Sequence, residues 1–196
     1  MTFDDGVPPP GASPFVTGQS PTNDLKLVAG NPSWPQEYRV LAGMILGVLG
    51  DAALAVEHIG STSVPGLVAK PVIDVDLTVA DSRDESAYVP PLDALGFVLV
   101  VREPWWYEHR LLRHSDPACN LHVFSPYCAE QVRHRIFRDW LRTHPGDRAL
   151  YAAAKTSAAR DTRAIGGDTM DYNARKQAVV REIYARAFRA LGLLPD

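Results

Sequence analysis

The sequence predicts an α/β fold in the broad sense that includes α+β: a mixed sheet flanked by helices, with a helical C-terminal third. Residues 72–79 set aliphatic side chains at Ile73, Val75, Leu77 and Val79 against polar ones at Asp74, Asp76 and Thr78. That period of two is a strand with one face in a core. Residues 35–49 repeat apolar side chains (Tyr38, Leu41, Ala42, Ile45, Leu46, Leu49) at helical spacing. From Gln131 onward, three helical patterns follow one another, the first two punctuated by Pro145 and Gly146.

The elements follow in order. Residues 1–23 carry Pro8, Pro9, Pro10, Gly11, Pro14, Gly18 and Pro21, a composition that resists helix and sheet and buries little apolar area. They are read as a disordered tail, and residues 24–196 as one domain, a size that a single core can organise. Residues 25–29 are expected to form a short edge strand. Asn31-Pro32-Ser33-Trp34-Pro35 then turns the chain, with Pro35 suited to a first helical turn and Gly50 placed to end the helix. A strand over 54–58 and a loop of small residues over 60–66 lead into the strand of 72–79. Residues 88–95 are expected as a helix stopped by Gly96, 97–101 as a buried strand and 110–113 as a second. Over 120–124, Leu121 and Val123 lie on one side of a strand, Asn120 and His122 on the other. Helices over 131–143, 146–163 and 172–193 complete the chain. Val179, Ile183, Ala187 and Leu191 make a stripe along the last of these.

Composition excludes several classes of function. A formal charge of −3 disfavours a dedicated nucleic-acid binder, which needs a basic balance to neutralise phosphates. Cys119 and Cys128 have neither CxxC spacing nor a second pair, so neither a zinc knuckle nor a disulfide framework is indicated. The start MTFDDGVPPPGASPF has acidic residues and prolines where a signal peptide needs a basic and then an apolar stretch. No apolar run approaches the roughly 18 residues of a membrane span. A cytoplasmic protein with no membrane partner is the expectation.

Asp74 and Asp76 share one face of their strand, with Cα atoms roughly 6.6 Å apart. Two such carboxylates raise each other's pKa unless a cation screens them. Magnesium, which takes oxygen ligands and shares its remaining positions with phosphates, suits that pair. An isolated Asp-X-Asp is also what ordinary alternation places toward water. Upstream, Gly60-Ser61-Thr62-Ser63 follows a strand; a glycine there permits close backbone approach, and hydroxyls with N–H groups hold phosphate oxygens. A tight turn would explain the same four residues.

Taken together, the strand, the Gly-Ser loop and the Asp-X-Asp strand resemble the signature of nucleotidyltransferase-fold enzymes. The fuller resemblance is to the GrpB family, through His58-Ile59-Gly60-Ser61-Thr62-Ser63-Val64-Pro65-Gly66-Leu67 and Ala69-Lys70-Pro71-Val72-Ile73-Asp74. It continues through Leu121-His122-Val123, Phe137-Arg138-Asp139-Trp140-Leu141-Arg142, His144-Pro145, Tyr151, Lys155, Tyr172 and Lys176, covering about residues 25 to 190. The resemblance implies a nucleotidyltransferase-like sheet, with Gly60, Ser61 and Ser63 binding a triphosphate and Asp74 and Asp76 holding Mg²⁺. The sequence departs from the family at Trp140, where Tyr is usual, and at Leu111-Leu112, where an aromatic residue is usual. The strand expected to supply a third carboxylate offers His122 instead.

The expected activity is Mg²⁺-dependent transfer of a nucleoside monophosphate from an NTP, with ATP as the default, to a small-molecule acceptor; a carboxylate acceptor would be activated for ligation. Asp74, Asp76 and His122 are the candidate catalytic groups. Lys70, Arg110, Arg138 and Lys176 are the candidate cations for the phosphates. Arg135, Arg138 and Arg142 share one helical face, where a solvated basic stripe is the plainer reading. Trp105-Trp106-Tyr107 either stacks a base, lines an acceptor pocket or packs in the core. His109, His114 and His134 have no ligand spacing and are expected on the surface. The alternative function is a non-catalytic nucleotide-binding module of the same fold. Action on an RNA end is a third, weakened by the net acidity.

Overall fold

In the computed structural model, which describes residues 6–195, helix α1 (Trp34–Leu49) precedes strands β1 (Ala55–Ile59) and β2 (Ile73–Thr78). After these come α2 (Val89–Asp93), β3 (Val98–Glu103), β4 (His109–Ser115) and β5 (Ala118–Phe124), and finally α3 (Ala129–Thr143), α4 (Pro145–Ala164) and α5 (Thr169–Ala190). The five strands form one sheet in the order β1-β2-β5-β4-β3. β2 and β5 are parallel, and every other neighbouring pair is antiparallel. The mixed sheet and helical C-terminal third match the expected class.

Alternation along β2 and β5 divides the sheet into two chemically different faces. Ile73, Val75, Leu77, Leu121 and Val123 pack with Leu41, Ile45 and Leu49 of α1 and Leu92 of α2 into the main core. Asp74 pairs in register with Asn120, and Asp76 with His122, on the opposite face. A second apolar cluster joins α3, α4 and α5 to the segment after β1, through Leu141, Tyr151, Ile183, Val64 and Leu67. The polar face of β2 and β5 is therefore roofed by helices while its reverse is dry.

Several boundaries differ from the sequence reading for local reasons. α5 starts at Thr169 rather than at 172 because Asp168 caps it: its side chain accepts from the N–H groups of Met170 and Asp171, and the Asp171 side chain accepts from the Asp168 N–H. Leu191 lies past the helix end and is 56% exposed, whereas Ile183 and Ala187 are buried. Residues 25–29 form no strand; Val28 makes an isolated bridge to Ala69, and Leu25 is buried among Ala158, Ala159 and Tyr172.

Residues 1–5 of the expected tail lie outside the described residues. Over 14–16 the chain lies along the open edge of β3: the Val16 N–H donates to the Val100 carbonyl at 3.0 Å and the Arg102 N–H to that of Pro14 at 2.8 Å. An edge strand leaves backbone groups unpaired, and a passing segment satisfies them whatever its proline content. Cys119 and Cys128 are buried free thiols. Among the described residues no helix is long and apolar enough to cross a membrane.

Candidate functional site

The Gly60 loop sits against Asp74. Gly60 has φ +67°, and a Cβ placed on it would lie 2.3 Å from Asp74 Oδ2, so only glycine lets the loop close over this carboxylate. Residues Ser61–Ser63 make one 3-10 turn. Thr62 Oγ1 lies 3.0 Å from His58 Nε2, and His58 in turn stacks on Tyr38 at 4.7 Å. Burial, and next Arg142 and Arg138, lower His58 to about 4, which keeps this bracing ring neutral near pH 7. Ser63 donates its hydroxyl to the Gly60 carbonyl at 2.6 Å. It therefore braces the turn and does not line the cavity beside it; Gly60, Ser61 and Thr62 do.

The arginine face of α3 fastens that helix to the loop. Arg135 pairs with Glu57, Arg138 donates to the His58 carbonyl, and Arg142 donates twice to the Ser63 carbonyl at 3.0 and 2.8 Å. Of the three, Arg138 reaches the cavity. Arg110 does not. It is buried on the other face of β4 with Glu85, 2.7 Å away, because its strand neighbour is Val123 rather than His122. The strand period that aims His122 at the cavity aims Arg110 away from it.

Asp74 faces a cavity of about 870 Å³ bounded by Gly60, Lys70, His122, Lys155 and Lys176, a size typical of small-molecule sites. Asn120 donates to Asp74 Oδ1 at 2.9 Å. Burial raises the Asp74 carboxyl above its usual range, against the Asn120 hydrogen bond and the charges of Lys70, Lys155 and Lys176. Lys70 lies over the Tyr172 ring, Lys155 over Tyr151, and Lys176 over both. Lys155 is only 3% exposed; burial, with Lys176 close by, lowers it to about 7.

Asp76 differs sharply from Asp74. It is 1% exposed, and both its oxygens lie near His134 Nδ1, at 3.1 and 2.9 Å. Burial works against the charge on His134, but Asp76, Glu130 and Asp74 together outweigh it and raise the imidazole's pKa. Among the described residues no three His, Cys, Asp or Glu side chains are placed to hold a metal ion. The two aspartates share a face as the spacing predicts; the oxygens of Asp76 meet His134, and Asp74 faces the cavity.

His122 stands at the junction of this cavity and a second one of about 550 Å³, lined by Phe15, Trp105, Trp106 and Asn173 among others. Trp106 meets His109 and Phe124 edge-on. The aromatic cluster therefore both packs and lines a pocket. His109 and His134, expected at the surface, are drawn inside by acidic partners: Glu103, the register partner of His109 six residues back on β3, and Asp76, 58 residues away from His134 on β2. Lys155 was legible as a lysine on the stripe Tyr151, Ala158, Ala159 and Thr162, all buried on α4. A cation on a buried stripe signals a polar cavity beneath it.

An α/β domain whose sheet face carries acids and histidines beneath lysines from the roofing helices is the class defined by this geometry. Residues 24–186 match the family model described as GrpB protein, and the chain belongs to that family. It is 46% identical over 164 residues to a UPF0157 protein of Halalkalibacterium halodurans, covering 83% of this chain and 82% of that one. The crystal structure of conserved protein GrpB from Enterococcus faecalis superposes with a TM-score of 0.72 at 25% identity, covering 85% of this chain and 99% of that chain. A dephospho-CoA kinase of Mycolicibacterium paratuberculosis is 30% identical over 205 residues, covering 91% of this chain and 50% of the kinase.

Proposed function

We propose that the larger cavity binds a nucleoside triphosphate and that its nucleotidyl group passes to a small-molecule acceptor. The observation that carries this reading is the convergence of Lys70, Lys155 and Lys176 with the Gly60 turn around Asp74 in one cavity of about 870 Å³. Ammonium groups and a glycine-led turn are donors suited to phosphate oxygens, and they act most strongly on charge that develops as pyrophosphate leaves. The second cavity, which meets the first at His122, would hold the acceptor. His122 is the base within reach of both. Magnesium enters this reading only as the ion that accompanies the nucleotide, since His134 occupies Asp76.

The same pairing of Asp76 with His134 favours a second reading, a nucleotide-binding module without catalysis. The similarity to half of a protein named dephospho-CoA kinase makes CoA-type nucleotides a further class of ligand for either reading.

Calorimetry with ATP, GTP, CTP and UTP, with and without Mg²⁺, separates these readings when applied to the wild type, Asp74→Asn and Lys155→Met. Binding weakened at least tenfold, about 1.4 kcal/mol, in Lys155→Met supports the lysine cradle. Nucleotide turnover lost in Asp74→Asn supports transfer, and binding without turnover across an acceptor screen supports the module. No binding to any of the four nucleotides, nor to CoA titrated in the same way, removes both.

A further inference from the structure

Behind His122 the sheet assembles a row of side chains that phosphate binding does not require. Glu103 ends β3, His109 begins β4 and His122 lies within β5, so the row crosses three adjacent strands. Glu103 and His109 are register partners. Glu103 Oε2 lies 2.8 Å from His109 Nδ1, and His109 Nε2 lies 3.0 Å from His122 Nδ1. His109 is 3% exposed and stacked on Phe124 at 4.9 Å, which fixes its ring plane. His122 Nε2 has no hydrogen-bond partner among the described residues, and the His122 side chain opens to both cavities.

The direction of each hydrogen bond follows from the end of the row. A carboxylate accepts, so His109 Nδ1–H donates to Glu103. With one proton on each ring, His109 Nε2 is then an acceptor, and the Nδ1–H of His122 is the donor that faces it. The lone pair of His122 is left on Nε2. We propose that Glu103 and His109 are positioning residues that hold His122 in its Nδ1–H form and present a basic Nε2 to the acceptor. This rests on the group-transfer reading of the cavity.

In that transfer the acceptor's O–H or N–H proton moves to His122 Nε2, and the freed electron pair forms the bond to the α-phosphorus. The bond from the α-phosphorus to the bridging oxygen breaks, and its electrons leave with pyrophosphate. Glu103, a quarter exposed, stabilises through His109 the imidazolium that forms, the role a carboxylate plays behind a catalytic histidine. Burial, and next the neighbouring His109 and His134, push His122 well below the usual imidazole range, so the ring is neutral before it accepts a proton.

The tautomer is open to direct measurement on the full chain labelled with ¹⁵N-histidine, without nucleotide, at pH 8. Long-range ¹H–¹⁵N correlation, assigned with His109→Gln and His122→Gln, is expected to show His122 protonated at Nδ1 and bare at Nε2. Glu103→Leu should exchange the two nitrogen signatures, because His109 is then free to protonate at Nε2. Glu103→Gln, whose amide oxygen still accepts, should restore the wild-type pattern. A wild-type His122 that carries its proton on Nε2, or a pattern indifferent to Glu103→Leu, overturns the proposal. The wild-type spectrum decides even if Glu103→Leu fails to fold. A wrong tautomer removes the relay while nucleotide binding persists, whereas calorimetry without binding removes the transfer reading whatever the tautomer.

Discussion

His134 Nδ1, on α3, sits 2.9 Å from Oδ2 and 3.1 Å from Oδ1 of Asp76, on the central strand pair. A buried carboxylate that loses its partner keeps its desolvation cost and loses the compensating attraction. His134→Ala is therefore expected to destabilise the protein by about 3 kcal/mol, read as a lower urea midpoint. Adding Asp76→Asn should recover part of that loss. An additive double variant would show that the two side chains act independently.

Gly60 and Gly66 both have positive φ, yet they face different surroundings. A Cβ at Gly60 meets Asp74 Oδ2 at 2.3 Å and Asp74 Cβ at 2.9 Å, whereas at Gly66 nothing lies within 4 Å. Gly66→Ala should cost about 1 kcal/mol, the backbone strain alone, and leave nucleotide binding intact. Gly60→Ala should cost about 2–4 kcal/mol, since the loop or Asp74 must move as well, and should abolish nucleotide binding in calorimetry.

Lys155 holds its proton less tightly in the folded chain, near 7, than an ordinary lysine at 10.5 does. The unfolded chain binds the extra proton between those values, so this group makes stability rise with pH from 7 toward 10.5. Lys155→Met removes the buried amine and should stabilise the ligand-free protein at pH 7 by about 1–3 kcal/mol. The advantage should shrink by pH 9.5. Denaturant titrations at the two pH values check the sign, and an advantage that grows with pH would contradict it.

His58 is also depressed, to about 4 from 6.5, by burial and by Arg142 and Arg138. The unfolded chain takes up a proton below 6.5 that the folded chain refuses until about 4. The protein should therefore lose about 2–3 kcal/mol from this group as pH falls through that window. His58→Gln should flatten the pH dependence between 6.5 and 4.5 in urea unfolding, at some fixed cost from the altered stack on Tyr38. An unchanged slope would remove His58 from the acid response.

Much of the scaffold was legible because it is written in local periods. The alternation of Ile73, Val75 and Leu77 with Asp74, Asp76 and Thr78 fixed which side of β2 is core, and the same reading put Asn120 and His122 on the polar side of β5. The Gly60 turn and its neighbour Asp74 were legible through motif spacing. The role of Ser63 was not legible, because a hydroxyl in a phosphate-loop pattern can as well donate to its own turn, as it does to the Gly60 carbonyl. The face of Arg110 was not legible because β4 runs in like pairs, His109-Arg110, Leu111-Leu112 and Arg113-His114, and so shows no alternation to fix its phase.

The sequence by itself determined the mixed α/β class, the helical last third, the two-faced central strand and the glycine-led loop, since each depends on residues within a turn or two of one another. Tertiary structure alone decided which charges meet. Asp76 is paired by a histidine 58 residues away, Asp74 faces lysines from α4 and α5, and Glu103 reaches His122 only because β3, β4 and β5 lie side by side. Periodicity assigns a side chain to a face, but whether a buried charge is free or paired depends on which other element covers that face, and that is set by packing across the whole chain.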